Sequence, residues 1–194
     1  MTERLTGAKP LDDGDETGEL PSGPPSAARS TESGIGVCYQ AALRLLDYRA
    51  RTETEMRQRL ARKGFEAVDI DTVLARLKTS GLIDDAAFAR AWSDSRAASS
   101  PRSAFVIKRE LRGKGVTGDT AEEAVAGLDD AEAAYRAAIP RATRLAKLPP
   151  EEARRKLGDF LRRRGFSWGV AEETMNRLKD EGIGFEVDTN EATP

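Results

Sequence analysis

The sequence predicts an all-α protein of three tandem three-helix repeats that form an elongated, curved array. A segment made of a leucine, basic residues, a glycine and a hydrophobic residue occurs three times, at intervals of about 50 residues. Apolar residues also recur six, ten and thirteen positions after each of these glycines, and that spacing is one stripe of an α-helix. Internal periods of this length are typical of stacked copies of one supersecondary unit.

Each copy of the segment predicts the C-terminal cap of a helix. The glycines are Gly64, Gly115 and Gly165, and glycine readily adopts the left-handed conformation that closes helices. Basic residues precede each glycine, where the helix dipole favours them. A contact between apolar residues on either side of the glycine commonly accompanies this cap. The apolar pairs are Leu60 with Phe65, Leu111 with Val116, and Leu161 with Phe166.

The first helix is predicted from about residue 36 to residue 50. Its apolar residues form one stripe, which is expected to face the core. The stripe consists of Val37, Ala41, Leu45 and Tyr48, widened by Ala42, Leu43 and Leu46. Cys38 lies among them and is interpreted as a small buried hydrophobic residue.

Polar residues predict where other helices begin. Thr52 with Glu55 is a capping-box pattern, and Asp84, Thr117 and Ser167 are good N-cap residues. These positions start the second helix of the first repeat, two helices of the second repeat, and the last helix of the third.

Further residues predict helix ends and core positions. Gly81 and Gly182 are expected to close the last helices of the first and third repeats. Pro140 is expected to bend or split the first helix of the third repeat. Phe88 and Trp92 lie one helical turn apart, a spacing that favours core packing.

Trp168 has two interpretations. It follows the third glycine cap, and core packing is the favoured one. The alternative is an exposed ring on which bases of single-stranded nucleic acid stack.

The chain divides into five predicted segments. Residues 1–33 are rich in Gly, Pro, Ser and acidic residues and are predicted to be a disordered acidic segment. The three repeats are predicted at 34–83, 84–128 and 129–183. Residues 184–194 form an acidic C-terminal tail.

The composition argues against several classes of protein. A single cysteine cannot form an internal disulfide, and no apolar run is long enough for a membrane span. The N-terminus lacks the pattern of a signal peptide, so a cytoplasmic location is predicted. The absence of histidine removes the usual general base and the common metal ligand. We therefore expect a non-enzymatic protein with no metal or cofactor and no membrane association.

Basic residues concentrate in the middle helix of every repeat. If the repeats stack in register, these residues form a ridge that complements a phosphate backbone. The alternative is that they serve solubility and pair with nearby acids. The candidate binding residues are Arg57, Arg59, Arg62, Lys63, Arg102, Lys108, Arg109, Arg112, Lys114, Arg154, Arg155, Arg162, Arg163 and Arg164.

Several motifs follow one another between about residue 37 and residue 183. They are the helix at residues 43–46 with Arg51-Thr52, Met56 with Leu60-Ala61-Arg62-Lys63-Gly64-Phe65, Gly81-Leu82-Ile83-Asp84-Asp85-Ala86-Ala87-Phe88-Ala89, Glu110-Leu111 with Lys114-Gly115-Val116, and Phe160-Leu161-Arg162-Arg163-Arg164-Gly165-Phe166-Ser167-Trp168. In these motifs the chain resembles the RecX family of bacterial recombination regulators. The segment 99–104 departs from the short Gly-Pro linker of many members. The acidic N-terminal segment lies outside the resemblance.

The resemblance implies a regulator that binds the RecA recombinase filament on DNA, and we expect the chain to be a monomer. It implies that the regulator lies in the filament groove and mostly inhibits ATP hydrolysis and strand exchange. Two other functions remain open at this stage. One is a stand-alone, sequence-nonspecific DNA-binding protein, and the other is a protein-interaction scaffold that does not bind nucleic acid.

Overall fold

The computed structural model describes residues 34–184, and within that range the chain is helical and contains no β-strand. The predicted all-α class is confirmed. The predicted segment 1–33 and residues 185–194 of the predicted tail lie outside the described residues. The helices are α1 (Gly34–Tyr48), α2 (Glu53–Arg62), α3 (Ala67–Thr79), α4 (Asp85–Ser99), α5 (Ala104–Gly113), α6 (Gly118–Glu123), α7 (Asp130–Leu145), α8 (Pro150–Arg163) and α9 (Trp168–Asp180).

The described residues form two compact units. The first unit contains residues 34–92 and 114–116, and the second contains residues 93–113 and 117–184. Helices α1 to α3 build a hydrophobic core in the first unit, and α7 to α9 build one in the second.

The predicted glycine caps at Gly64 and Gly165 form as expected. Gly64 and Gly165 have φ of 85° and 86°, in the left-handed region. The Phe65 N–H donates to the carbonyl of Leu60 at 3.3 Å, and the Phe166 N–H donates to that of Leu161 at 3.2 Å. These bonds satisfy carbonyls that the helix end would leave without a partner. Each cap turns the chain sharply into the last helix of its repeat.

The core of α1 differs from the predicted stripe. Cys38 and Ala42 are fully buried, as expected of the cysteine, whereas Val37 and Tyr48 are 60% and 54% exposed. The predicted stripe was therefore wrong at both of its ends. The small Cys38 and Ala42 lie at the centre of the buried face, and the middle of the predicted stripe packs against the core as partly buried residues: Ala41, Leu43, Leu45 and Leu46.

The N-caps agree with the sequence except at α6. Thr52 Oγ1 accepts from the Glu55 N–H at 3.1 Å, and Asp84 Oδ1 accepts from Ala87 at 2.9 Å. Thr117 makes no side-chain cap bond. The sequence predicts that this helix ends near Leu128, but α6 ends at Glu123. The chain then forms turns in which N–H groups bond to the carbonyl three residues back, so the helix is shorter than predicted.

Helix α7 remains one helix through Pro140, so it is not split. Pro140 is exposed, and the buried Ala138 and Ala142, two positions before and after it, lie on the opposite side of the helix. Their small side chains let α7 pack against α8 and α9, and this packing compensates for the backbone hydrogen bond that proline removes. Asp129 caps the helix by accepting from Ala131 and Glu132.

In the first unit, the N-terminus of α2 contacts the cap segment of residues 114–115. We call this contact the first junction. The Thr52 hydroxyl donates to the carbonyl of Lys114 at 2.6 Å, and the Glu53 N–H donates to Asp85 Oδ1 at 2.9 Å. Gly115, with φ of 86°, approaches so closely that a Cβ there would overlap Thr54.

The second unit contains an equivalent contact, the second junction, between the N-terminus of α5 and residues 164–165. The Ser103 N–H donates to the carbonyl of Arg164 at 3.1 Å, and the Ala104 N–H donates to Asp130 Oδ1 at 2.7 Å. A Cβ on Gly165 would overlap Val106. The same set of hydrogen bonds therefore recurs at the interval of the sequence repeat. The middle-helix cap of one repeat packs on the start of the middle helix of the repeat before it.

At the first junction, we expect Asp85→Asn to destabilise the chain less than Asp85→Ala. Burial raises the pKa of its carboxyl group above the ordinary value, so the charged form is less favourable in the folded chain than in the unfolded chain. Asp85→Asn keeps the acceptor oxygen, and we expect its free energy of unfolding at pH 7 to stay within about 1 kcal/mol of wild type. Asp85→Ala removes the acceptor and should cost about 1–2 kcal/mol.

The pH dependence follows from the direction of that shift. The raised pKa means that the folded state takes up a proton first as the pH falls. As the pH falls from 7 toward the ordinary Asp pKa, the free energy of unfolding of wild type should therefore rise relative to that of Asp85→Asn. Urea unfolding of both variants across that range measures the difference, and a change in the opposite direction would contradict the assignment.

Candidate nucleic-acid interface

The structure divides the predicted binding residues by exposure. The exposed residues are Arg57, Arg62, Lys63, Arg109, Arg112, Arg155, Arg162 and Arg163. The half-buried residues are Arg59, Arg102, Lys108, Lys114, Arg154 and Arg164. The contacts of each residue decide which of them are available to a ligand.

One cation of each middle helix is paired with an acid from the last helix of the same repeat. In all three repeats that acid lies seven positions after the repeat glycine. Surface pairs of this kind contribute only about 0–1 kcal/mol each, but they cancel the local charge that would attract a phosphate. The three pairs are Arg57 with Asp71, Lys108 with Glu122, and Arg154 with Glu172.

Lys114 and Arg164, directly before their glycines, belong to the junctions. Lys114 Nζ lies 3.3 Å from Glu55 Oε1 and 4.1 Å from the centroid of the Trp92 ring. Arg164 Nη1 donates to the carbonyl of Pro101 at 2.8 Å. Burial lowers the pKa of Arg164 from its ordinary value, although an arginine remains charged. Both side chains hold successive repeats together rather than facing a ligand.

Another predicted residue, Arg102, is held by an ion pair. Arg102 Nη1 lies 2.9 Å from Glu110 Oε1, and Arg96 Nε lies 2.8 Å from the other oxygen of the same carboxylate. These contacts organise the segment that leads into α5. The last of the half-buried residues, Arg59, lies on α2.

The remaining cations are exposed and make no ion pair with residues 34–184. In the first unit they are Arg62 and Lys63, at the end of α2. In the second unit, the exposed-cation set consists of Arg109 and Arg112 on α5 and Arg155, Arg162 and Arg163 on α8. Arg109 and Arg112 lie one turn apart and Arg155 and Arg162 two turns apart, so each pair shares a helix face. Such rows can accept phosphates without first losing an internal partner.

Two aromatic residues of the second unit are also exposed. Phe105 is 67% exposed and Trp168 is 62% exposed, so the core interpretation of Trp168 was wrong. Trp168 is the first residue of α9, where the cap turn directs it away from the core. Sequence reasoning missed Phe105 altogether. Its offset from the repeat glycine is that of Thr54 and Arg155, which are polar residues, and this alignment was the available signal.

Models of known protein families match the chain repeat by repeat. The models of the first, second and third three-helix domains of RecX match residues 38–77, 84–125 and 129–175. The chain belongs to the RecX family. It is 36% identical over 147 residues to the regulatory protein RecX of Chlorobium limicola, a match that covers 76% of this chain and 92% of that protein. It is 37% identical over 169 residues to the regulatory protein RecX of Thermobifida fusca, covering 86% and 91%.

Solved structures show the same RecX architecture. The crystal structure of RecX from Lactobacillus salivarius matches with a TM-score of 0.67 and 26% identity, covering 75% of this chain and 97% of that one. A second crystal structure of a regulatory protein RecX matches in fold, with a TM-score of 0.65. The three tandem three-helix units predicted from the sequence are thereby confirmed. Between residues 34 and 184, none of the helices of this RecX-family chain is both long and apolar enough to span a bilayer.

Proposed function

We propose that this RecX-family chain is a non-enzymatic regulator that binds the RecA–DNA filament and mostly inhibits its ATP hydrolysis and strand exchange. The observation that carries the proposal is the exposed-cation set of the second unit. Its arginines keep their charge at any physiological pH and make no ion pair with residues 34–184. DNA-bound filaments offer phosphates at regular spacing, and each neutralised phosphate releases counterions.

Binding alone can then inhibit the filament's ATP turnover, without any reaction catalysed by this chain. A bound protein shifts the filament toward whichever state it binds more tightly, by its differential affinity for the two states. A regulator that prefers a filament state with slow ATP turnover therefore lowers turnover in proportion to its occupancy. Binding across phosphates would also obstruct the incoming DNA strand.

The test is a titration of the full chain into RecA filaments assembled on single-stranded DNA. We expect ATP turnover to fall to a plateau as the chain saturates the filament, and binding to bare DNA of the same length to be weaker. Unchanged turnover at saturating occupancy would contradict the proposal. Equal affinity for bare and coated DNA would instead favour a stand-alone, sequence-nonspecific DNA-binding protein. We further propose that the chain acts in the cytoplasm as a monomer.

A further inference from the structure

Phe105 and Trp168 are large, exposed aromatic residues of the second unit. Single exposed apolar residues are ordinary in soluble proteins. Here, however, two large aromatic rings more than 60% exposed occur in one unit, next to the exposed-cation set. Both also lie within a few residues of the second junction.

Both residues lie close to the contact between α5 and the end of α8. Phe105 follows Ser103 by two residues, and Trp168 follows Gly165 by three. Ser103 and Arg164 are hydrogen-bonded, and Val106 packs on Gly165. With 3.8 Å between consecutive Cα atoms, Phe105 lies within about 8 Å of its side of the contact and Trp168 within about 11 Å of its own. The second junction therefore links the two short segments that carry these rings.

The rings are flanked by cations on both helices. Phe105, Arg109 and Arg112 lie at positions i, i+4 and i+7 of α5, which is one helix face, and all three are exposed. Arg162 and Arg163, both exposed, precede the Gly165 cap on α8. Aromatic rings beside arginines are the elements with which proteins hold unpaired bases and their phosphates.

The repeat architecture itself does not require these rings. The positions equivalent to Phe105 in the other repeats hold Thr54 and Arg155, and those equivalent to Trp168 hold Ala67 and Gly118. The first junction forms with Thr54 at the first of these positions. The aromatic pair is thus an addition to the second junction, and packing does not account for it.

We propose that Phe105 and Trp168 form a stacking platform for unpaired bases of a single strand whose phosphates contact Arg109, Arg112, Arg162 and Arg163. The inference rests on the proposed function, since the strand would be the one in the filament. The density of positive charge favours a nucleic-acid strand over an apolar protein surface as the ligand. Base stacking tolerates any sequence, because every base has a π face.

The test compares three probes of equal length: oligo(dT), the same backbone without bases, and a duplex. We expect the double variant Phe105→Ala/Trp168→Ala to lose about tenfold or more in affinity for oligo(dT), with affinities for the abasic strand and the duplex unchanged. Tyr48→Ala removes another exposed aromatic residue and serves as the matched control, with no loss on any probe. Trp168→Phe should retain most of the affinity.

A spectroscopic readout is independent of affinity. Trp92 is 2% exposed, so a Trp92→Phe variant leaves Trp168 as the sole tryptophan reporter. Its fluorescence should be quenched by oligo(dT) and not by the abasic strand. An unchanged affinity of the double variant for oligo(dT), or an equal loss on the abasic strand, would overturn the platform. Duplex and abasic binding that is insensitive to the four arginines would instead contradict the proposed function.

Discussion

Gly115→Ala and Gly165→Ala are expected to destabilise the chain far more than Gly64→Ala. All three glycines have φ near +85°, so the strain of a left-handed alanine, about 1–2 kcal/mol, is common to them. Only Gly115 and Gly165 also pack at a junction, where a Cβ would overlap Thr54 or Val106. Overpacking adds about 1–3 kcal/mol, so we expect a total near 2–5 kcal/mol for each.

Urea or thermal unfolding of the three variants measures the difference. Gly64 is the matched control, because no atom outside its own neighbourhood lies within 4 Å of the added Cβ. Gly81, with φ of 69° and equally open surroundings, is a second control. If all the glycine variants lose the same stability, the two junctions contribute nothing beyond backbone strain.

Replacing Arg109, Arg112, Arg162 and Arg163 together with alanine is expected to weaken DNA binding by on the order of 100-fold at low salt. Each lost phosphate contact should also reduce the slope of log K against log salt by about 0.7 on single strands and 0.9 on duplex, so the slope flattens by about 3 units. The variant should remain folded, because all four side chains are exposed.

The chain provides a control with the same change in net charge. Arg57, Lys108, Arg154 and Arg177 are each paired with an acid, and their replacement by alanine also removes four cations. Because the partner acids already cancel those charges locally, this paired-cation variant should keep most of its affinity and salt slope. Equal losses in the two variants would show that net charge alone governs binding.

The local features of the fold could be predicted from the sequence. Glycine caps and N-caps depend on residues within a few positions of one another, and Thr52, Asp84 and Ser167 form the bonds that their side chains predict. The face of α1 could not be predicted in the same way. Cys38 and Ala42 are buried because of what α1 packs against, while the more apolar Val37 faces solvent.

The candidate site was predictable only as a charge pattern. Lys114 and Arg164 have the same sequence signal as Arg162 and Arg163, but they contact residues about 60 positions earlier in the chain. Nothing local distinguishes an anchoring cation from an exposed one. The core interpretation of Trp168 was wrong for the same reason, since the exposure of its ring depends on the direction of the first turn of α9.

ATP turnover by RecA filaments is the measurement that tests the account most directly. Wild type, the four-arginine variant and the paired-cation variant would be titrated into the same filaments. The account predicts that wild type and the paired-cation variant inhibit at similar concentrations, while the four-arginine variant needs at least about tenfold more. Inhibition by the four-arginine variant at the wild-type concentration would contradict it.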